Sequence, residues 1–368
     1  MAKQSNLHTL AGLGQSVWID YLSRDMLHEG ELARMMKEDA VTGVTSNPTI
    51  FQKAISHGDA YDGQIGELLG AGEHDSKEIF LQLSAVDVAE ACDLMRPVFD
   101  ATNGLDGYVS WEVDPTLAYD REATFAEMLR LHAWIDKPNL CVKIPATKPG
   151  LGAIEDAVAH GKNINVTLIF SLERYREVVE AYIRGLERLV AGGGDPSTVQ
   201  SVASFFVSRV DTEADRRLEE LGNKKLQGKL AVANAKLAYQ HYLAAFSGPR
   251  WEFLAGKGAN PQRCLWASTS VKNPAYRDVM YVEDLIGPAT VNTMPQETIE
   301  AFQDHGDAEP ALTKGVKKAG ALLEELASVG VDYDDVVLTL EQEGVQKFAD
   351  SFAELLEGVR AKREAIAA

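Results

Sequence analysis

Leu140-Cys-Val-Lys-Ile144 and Ile164-Asn-Val-Thr-Leu-Ile169 are the two stretches that decide the fold. Each is a short, largely apolar and β-branched run without strict alternation, the pattern of a parallel strand covered on both faces. Working outward, runs of the same kind occur at Ser16–Leu22, Gly43–Ser46, Gly107–Val113, Val199–Phe206, Cys264–Ser268 and Ala289–Asn292. Amphipathic stretches lie between them. Phe125, Met128, Leu129 and His132 fall at helical spacing, and Tyr175, Val178, Val179, Tyr182, Ile183 and Leu186 form a broad stripe after a capping Ser171. Ile79, Leu83 and Val86 start another stripe behind Ser76. After Pro310 the pattern is helical throughout, with Phe348, Phe352, Leu355, Leu356 and Val359 on one face.

Eight strands alternating with helices fit either a closed (β/α)8 barrel or an open doubly wound sheet. The open sheet would be favoured by a nucleotide fingerprint. Gly12-Leu-Gly14 and Gly150-Leu-Gly152 lack the third glycine at the required offset, and no P-loop motif is present. The expected architecture is therefore an α/β fold of the (β/α)8 TIM-barrel type. The barrel is expected over residues 1–310, with extra helices near 50–100 and 209–247, and a helical C-terminal extension over 311–368 packs on the same domain.

With 368 residues, 45% of them hydrophobic, the chain can bury a core of this size. Its 36 Lys and Arg stand against 55 Asp and Glu, a formal charge of −19 that argues against nucleic-acid and anionic-membrane partners. Cys92, Cys141 and Cys264 are too few and too scattered for a disulfide framework or a zinc site. The opening Met1-Ala-Lys-Gln-Ser-Asn6 leads into no apolar stretch of the signal-peptide kind, and no run approaches the ~18 apolar residues of a membrane helix. The expectation is a reduced, soluble, cytoplasmic protein.

Barrel enzymes carry their reactive side chains at the C-terminal ends of the strands. Seven of the strands offer one polar group there: Asp20, Asn47, Glu112, Lys143, Thr167, Ser204 and Ser268, spaced by 27, 65, 31, 24, 37 and 64 residues. Four of these intervals approximate the ~30 residues of one βα unit. Any one of the seven could be chance; as a set they point to a common mouth.

Lys143 is the most informative of them. Flanked by Leu140, Cys141, Val142, Ile144 and Pro145, it is either a lysine whose stem is buried and whose head pairs with an acid, or a Schiff-base lysine. The second use needs a free amine, which burial of a lysine favours. A carbonyl substrate would then form an iminium, drawing electrons from the adjacent C–C bond. Asp20 and Glu112 are the two acids available as proton shuttles, or else structural hydrogen-bond acceptors; Thr167 is a site hydroxyl or a plain strand threonine. Ser204-Phe-Phe-Val-Ser-Arg209 supplies hydroxyls and a guanidinium suited to an oxyanion, and Ser268-Thr-Ser-Val-Lys-Asn273 adds donors after the next strand. The ordinary alternatives are pairing of Arg209 with Asp211 or Glu213, and simple solvation of Lys272. The eight histidines form no metal-binding pair at short spacing, and no serine nucleophile elbow occurs. Asp332-Tyr-Asp-Asp335 lacks EF-hand spacing and reads as a loop or helix start.

These residues resemble the transaldolase family. Gly43-Val-Thr-Ser-Asn-Pro-Thr49 is similar to its asparagine-containing signature, and Leu140-Cys-Val-Lys-Ile-Pro-Ala146 to its Schiff-base signature. Val109-Ser-Trp-Glu-Val-Asp114, Asn165-Val-Thr-Leu-Ile-Phe-Ser171 and Ser204–Arg209 match in order, and the closing helices resemble the longer, actinobacterial-type subgroup. The resemblance implies class I aldolase chemistry in the pentose phosphate pathway, with no cofactor and no metal. Lys143 would form the imine with sedoheptulose 7-phosphate or fructose 6-phosphate, and the retained dihydroxyacetone unit would pass to glyceraldehyde 3-phosphate or erythrose 4-phosphate. Asp20 would shuttle the hydroxyl proton during C–C cleavage, and Glu112 would act through a water held also by Thr167. Asn47 and Ser204 would orient substrate hydroxyls, and Arg209 would hold the phosphate. Where many members read Ala-Ser-Phe-Arg-Asn, this chain reads Ala267-Ser-Thr-Ser-Val-Lys-Asn273, so the arginine's role is assigned to Lys272, with Ser268 beside it. The implied partners are sugar phosphates, for a monomer or homodimer. The competing readings are a related aldolase that releases free dihydroxyacetone and a catalytically silent sugar-phosphate-binding barrel.

Overall fold

Eight parallel strands close into a barrel in chain order: β1 (Gln15–Ile19), β2 (Val41–Thr45), β3 (Tyr108–Glu112), β4 (Leu140–Pro145), β5 (Ile164–Ile169), β6 (Ser201–Phe206), β7 (Arg263–Ala267) and β8 (Thr290–Met294). Closure is made by β1 on β8, with Val17 opposite Asn292. This computed structural model describes residues 5–56 and 58–367; the first four residues, read above for a leader, lie outside the described residues, as do His57 and Ala368. No described helix is long and apolar enough to cross a membrane.

The strands are buried along almost their whole length, as their unalternating apolar sequences require. Helices surround them, started by side-chain caps: Ser171 Oγ accepts from Arg174 N at 2.9 Å, and Thr147 Oγ1 from Gly150 N at 3.0 Å. The two long intervals hold Pro48–Ser56, Asp62–Gly70 and Ser76–Ala101 in one case, and Ser208–Glu220 and Leu230–Ala245 in the other.

The structure corrects several boundaries. The first strand stops at Ile19 and bends at Asp20, because Ser23 soon caps the helix Arg24–His28. Strand β8 begins after Ala289, whose φ of 56° is left-handed, and β7 ends before Ser268, whose φ is also 56°. Asp75, not Ser76, caps the long helix, accepting from Lys77 N and Glu78 N. On that helix Ile79 and Leu83 face the core, but Val86 is exposed: the buried line advances by four residues, through Asp87, rather than by three.

After Pro310 the chain forms helices Val316–Ser328 and Tyr333–Ala367. Asp332 starts the second by accepting from Asp334 N at 2.9 Å. This last helix crosses the C-terminal end of the barrel. Its own Phe352, Leu355 and Val359 are buried, and its Phe348 and Leu356 are half-buried. Ion pairs hold its flanks, with Arg174 on Glu341 at 3.0 Å, Arg217 on Asp335 at 2.6 Å and Lys362 on Asp62 at 2.5 Å.

Candidate active site

A cavity of about 550 Å³ opens at the C-terminal end of the barrel. Asp20, Asn47, Lys143, Thr167, Ser204, Arg209, Ser268 and Lys272 all line it. Of the site residues singled out from the sequence, Glu112 alone lies outside this lining, within ion-pair distance of Lys143. Strand register explains the convergence: Glu112 on β3 pairs with Lys143 on β4, which pairs with Asn165 on β5, so all three project to the same face.

The Lys143 side chain is held, not free. Its Nζ donates to Ser46 O at 3.0 Å and stands 3.7 Å from Glu112 Oε2, an ion-pair distance too long for a hydrogen bond. Both side chains are only 7% exposed. Glu112 Oε2 and Thr167 Oγ1 are buried with no hydrogen-bond partner among the described residues. Buried polar atoms of this kind are normally met by water or ligand.

Burial pushes the Glu112 carboxyl up to about 7, against the opposing pull of Lys143 and with a further push from Asp20. Asp20 is likewise raised, chiefly by burial, while Lys143, the Thr45 hydroxyl and Arg209 act against the shift. Thr45 Oγ1 lies 2.7 Å from Asp20 Oδ1 and 2.6 Å from Thr293 Oγ1. The site thus holds one amine and two carboxyls that are both raised from their usual range.

Toward the outer end, burial holds the Arg209 guanidinium below its ordinary value, with Asp20 and Glu343 opposing. It sits over the Phe206 ring at 5.0 Å. Asp211 and Glu213 are engaged elsewhere. Asp211 accepts from Ala231 N and Tyr281 Oη, and Glu213 pairs with Arg216 and Arg217. Lys272 is exposed at the rim, its Nζ 2.7 Å from Ser270 Oγ. Ser268 Oγ lies 2.9 Å from Ser208 Oγ, and Asn47 Oδ1 accepts from Ile50 N at 3.0 Å, so the turn after β2 fixes that side chain.

A model of the Transaldolase/Fructose-6-phosphate aldolase family matches residues 17–359. The chain belongs to that family. The curated transaldolase of Acidothermus cellulolyticus is 52% identical over 366 residues, covering 97% of this chain and 98% of its own. That of Thermobifida fusca is 52% identical over 359 residues, at 96% and 97% coverage. Transaldolase 2 of Streptomyces avermitilis is 50% identical over 365 residues, at 98% of each chain. Kinship of this extent makes the chain a transferase enzyme of the transaldolase type.

Several residues that line or support this cavity were not singled out from the sequence. Asn165 is fully buried; its Oδ1 accepts from Ser204 Oγ at 2.6 Å and its Nδ2 donates to Ser110 Oγ at 3.0 Å, linking β6, β5 and β3 inside the barrel. Its two-residue spacing from Thr167 was the available signal, since both face inward from one strand. Thr45 and Thr293 join Asp20 across the β1–β8 closure, a contact no local pattern reveals. Phe348 comes from the C-terminal helix, its ring centroid 6.0 Å from Lys143 Nζ.

Proposed function

We propose that this transferase moves a dihydroxyacetone unit from sedoheptulose 7-phosphate or fructose 6-phosphate to glyceraldehyde 3-phosphate or erythrose 4-phosphate, through an imine on Lys143. The observation that carries the reading is one buried amine in the wall of a cavity that Asp20 also lines, 3.7 Å from the Glu112 carboxyl, with both carboxyls raised from their usual range. A binding protein has no use for such an amine, whereas imine chemistry needs it together with proton carriers.

In this reading Lys143 Nζ adds to the donor ketone and water leaves, forming the imine. Asp20 takes the proton of the hydroxyl beyond the scissile C–C bond, and the cleaved aldose departs. The electron pair stays on the Lys143-bound unit until it attacks the acceptor aldehyde, when Asp20 returns the proton. Glu112 and Thr167 serve addition and loss of water at the imine; their buried, unpartnered oxygens support that role. Asn47 and Ser204 orient substrate hydroxyls. Arg209 binds the phosphate, assisted by Lys272 and Ser268. Lysine supplies a point charge rather than a two-pronged grip, so most of the directionality rests on Arg209.

The same reading takes the chain as a cytoplasmic monomer or homodimer, with the barrel over 1–310 and the helical extension over 311–368 forming one unit. Its charge of −19 supports the absence of nucleic-acid partners. The curated relatives are named for transfer, which does not favour simple release of dihydroxyacetone. The test is product analysis with fructose 6-phosphate, with and without erythrose 4-phosphate. Transfer predicts sedoheptulose 7-phosphate with the acceptor and little free dihydroxyacetone without it. Equal rates of dihydroxyacetone release in both would overturn the reading.

A further inference from the structure

We propose that Tyr276 and Asp215 are positioning residues for phosphate recognition: their hydrogen bond holds the loop that carries Lys272 on the helix that carries Arg209, and so sets the preference for phosphorylated over unphosphorylated acceptors. The inference rests on the phosphate roles given above to Arg209 and Lys272.

The helix Ser208–Glu220 follows β6 almost directly, which places Arg209 in its first turn. Ser208, Asp211 and Asp215 recur at i, i+3 and i+7, so they share one face of that helix. Each of them grips the chain that follows β7. Ser208 N donates to Ser268 O at 3.0 Å, and the two hydroxyl oxygens lie 2.9 Å apart. Asp211 Oδ2 accepts from Tyr281 Oη at 2.9 Å, and Asp215 Oδ2 accepts from Tyr276 Oη at 2.6 Å.

Lys272 lies between the first and second of these ties along the chain. From Lys272 to Asp278 every residue is exposed except Tyr276, which is half-buried. Packing therefore fixes this segment through that one ring. The ring sits against Gly228, where an added Cβ would meet Tyr276 Cζ at 2.8 Å. Gly228 has a left-handed backbone (φ 68°), and its N–H donates to Asp215 Oδ1 at 2.8 Å, so both oxygens of this carboxyl are engaged. Tyr276 N in turn donates to Asn273 O at 3.0 Å, a turn that carries the constraint back to the neighbour of Lys272.

Lysine brings a point charge on a flexible stem. A phosphate that binds it must order the side chain and its loop together, and a loop fixed beforehand lowers that cost. Loss of the Tyr276 hydroxyl keeps the ring but frees the loop and leaves Asp215 Oδ2 without this donor. An acceptor without a phosphate makes no use of Lys272 and should not register the loss.

The experiment measures kcat/KM for erythrose 4-phosphate and for erythrose, with fructose 6-phosphate as donor, in wild type, Tyr276→Phe, Lys272→Met and the double variant. Tyr276→Phe should lower the ratio of the two values by roughly fivefold, through KM for erythrose 4-phosphate, with kcat within about twofold of wild type. Lys272→Met should lower the ratio at least as far, and the double variant no further than Lys272→Met alone. A purely structural role of Tyr276 would lower both acceptors together and leave the ratio unmoved. An unmoved ratio in Tyr276→Phe, or independent losses that multiply in the double variant, overturns this inference alone. An unmoved ratio in Lys272→Met overturns the phosphate role of Lys272, and this inference with it.

Discussion

The two ends of the barrel both bury charge, and they do so in opposite ways. At the N-terminal end, Arg263 Nη1 donates to Ser16 Oγ at 2.9 Å and Nη2 to Leu105 O at 2.7 Å, with Asp106 3.7 Å away. Asp106 in turn accepts from Trp18 Nε1 at 2.6 Å and Thr42 Oγ1 at 2.9 Å. The unpartnered buried atoms near this end include the amide oxygens of Gln15 and Gln262, which are neutral. At the C-terminal end, Lys143 and Glu112 share a loose contact, and one Glu112 oxygen is left without a hydrogen bond. At the N-terminal end the charged atoms are closed off by fixed partners; at the mouth they are left half-satisfied, as buried polar atoms that water or a ligand normally meets.

That contrast can be broken by substitution. The largest effect is expected at the mouth: Lys143→Ala should lose turnover by roughly 10⁴-fold or more while the circular dichroism spectrum and melting profile remain those of a folded barrel. Residual activity within about tenfold of wild type would remove the distinction between the two ends.

Asp20→Asn should separate two steps. The imine still forms and is trapped at a normal level, whereas C–C cleavage, read in single turnover, slows by about 10²–10⁴-fold. Equal loss of both steps would reject the proton role of Asp20.

The floor should behave in the reverse way. Arg263→Met leaves the Asp106 carboxylate buried without its cation, so denaturant unfolding should show a loss of roughly 3–5 kcal/mol. Measured on the folded fraction, kcat/KM should stay within about threefold of wild type. A larger catalytic loss would mean that the floor is coupled to the mouth.

The smallest effect is a pH dependence. Glu112 titrates near 7 in the folded chain, above the ~4.3 of an unfolded glutamate, so the folded state binds the extra proton between these values. Its contribution to stability is complete below about pH 4, falls as pH rises toward 7, and is flat above that. Glu112→Gln should therefore flatten part of the decline in unfolding free energy from pH 4 to 7. An unchanged slope would show that burial does not hold this carboxyl protonated.

Much of this contrast could be read before the fold was known. Strands such as Ile164–Ile169 are local patterns, and Asp20, Lys143 and Thr167 stand out because polar groups interrupt or end them. Seven such interruptions on successive strands place a shared mouth, since a closed parallel barrel brings all strand ends together. Contacts made by closure or by distant chain were not legible. Thr293 meets Thr45 across 248 residues of sequence, and Phe348 reaches Lys143 from a helix whose apolar stripe looked like ordinary core packing. The left-handed backbone of Leu168 and Ser268 was hidden too, because neither residue type signals it. The partners of Arg209 were misleading in sequence, since Asp211 and Glu213 are near in chain but turn to other groups.

The most direct measurement is chemical capture of the nitrogen proposed to react. Wild-type protein is incubated with fructose 6-phosphate, reduced with borohydride, digested and mapped by mass spectrometry. A stable three-carbon or six-carbon adduct on the peptide containing Leu140–Pro145, located at Lys143, is the predicted result. Full turnover with that lysine unmodified would contradict the account.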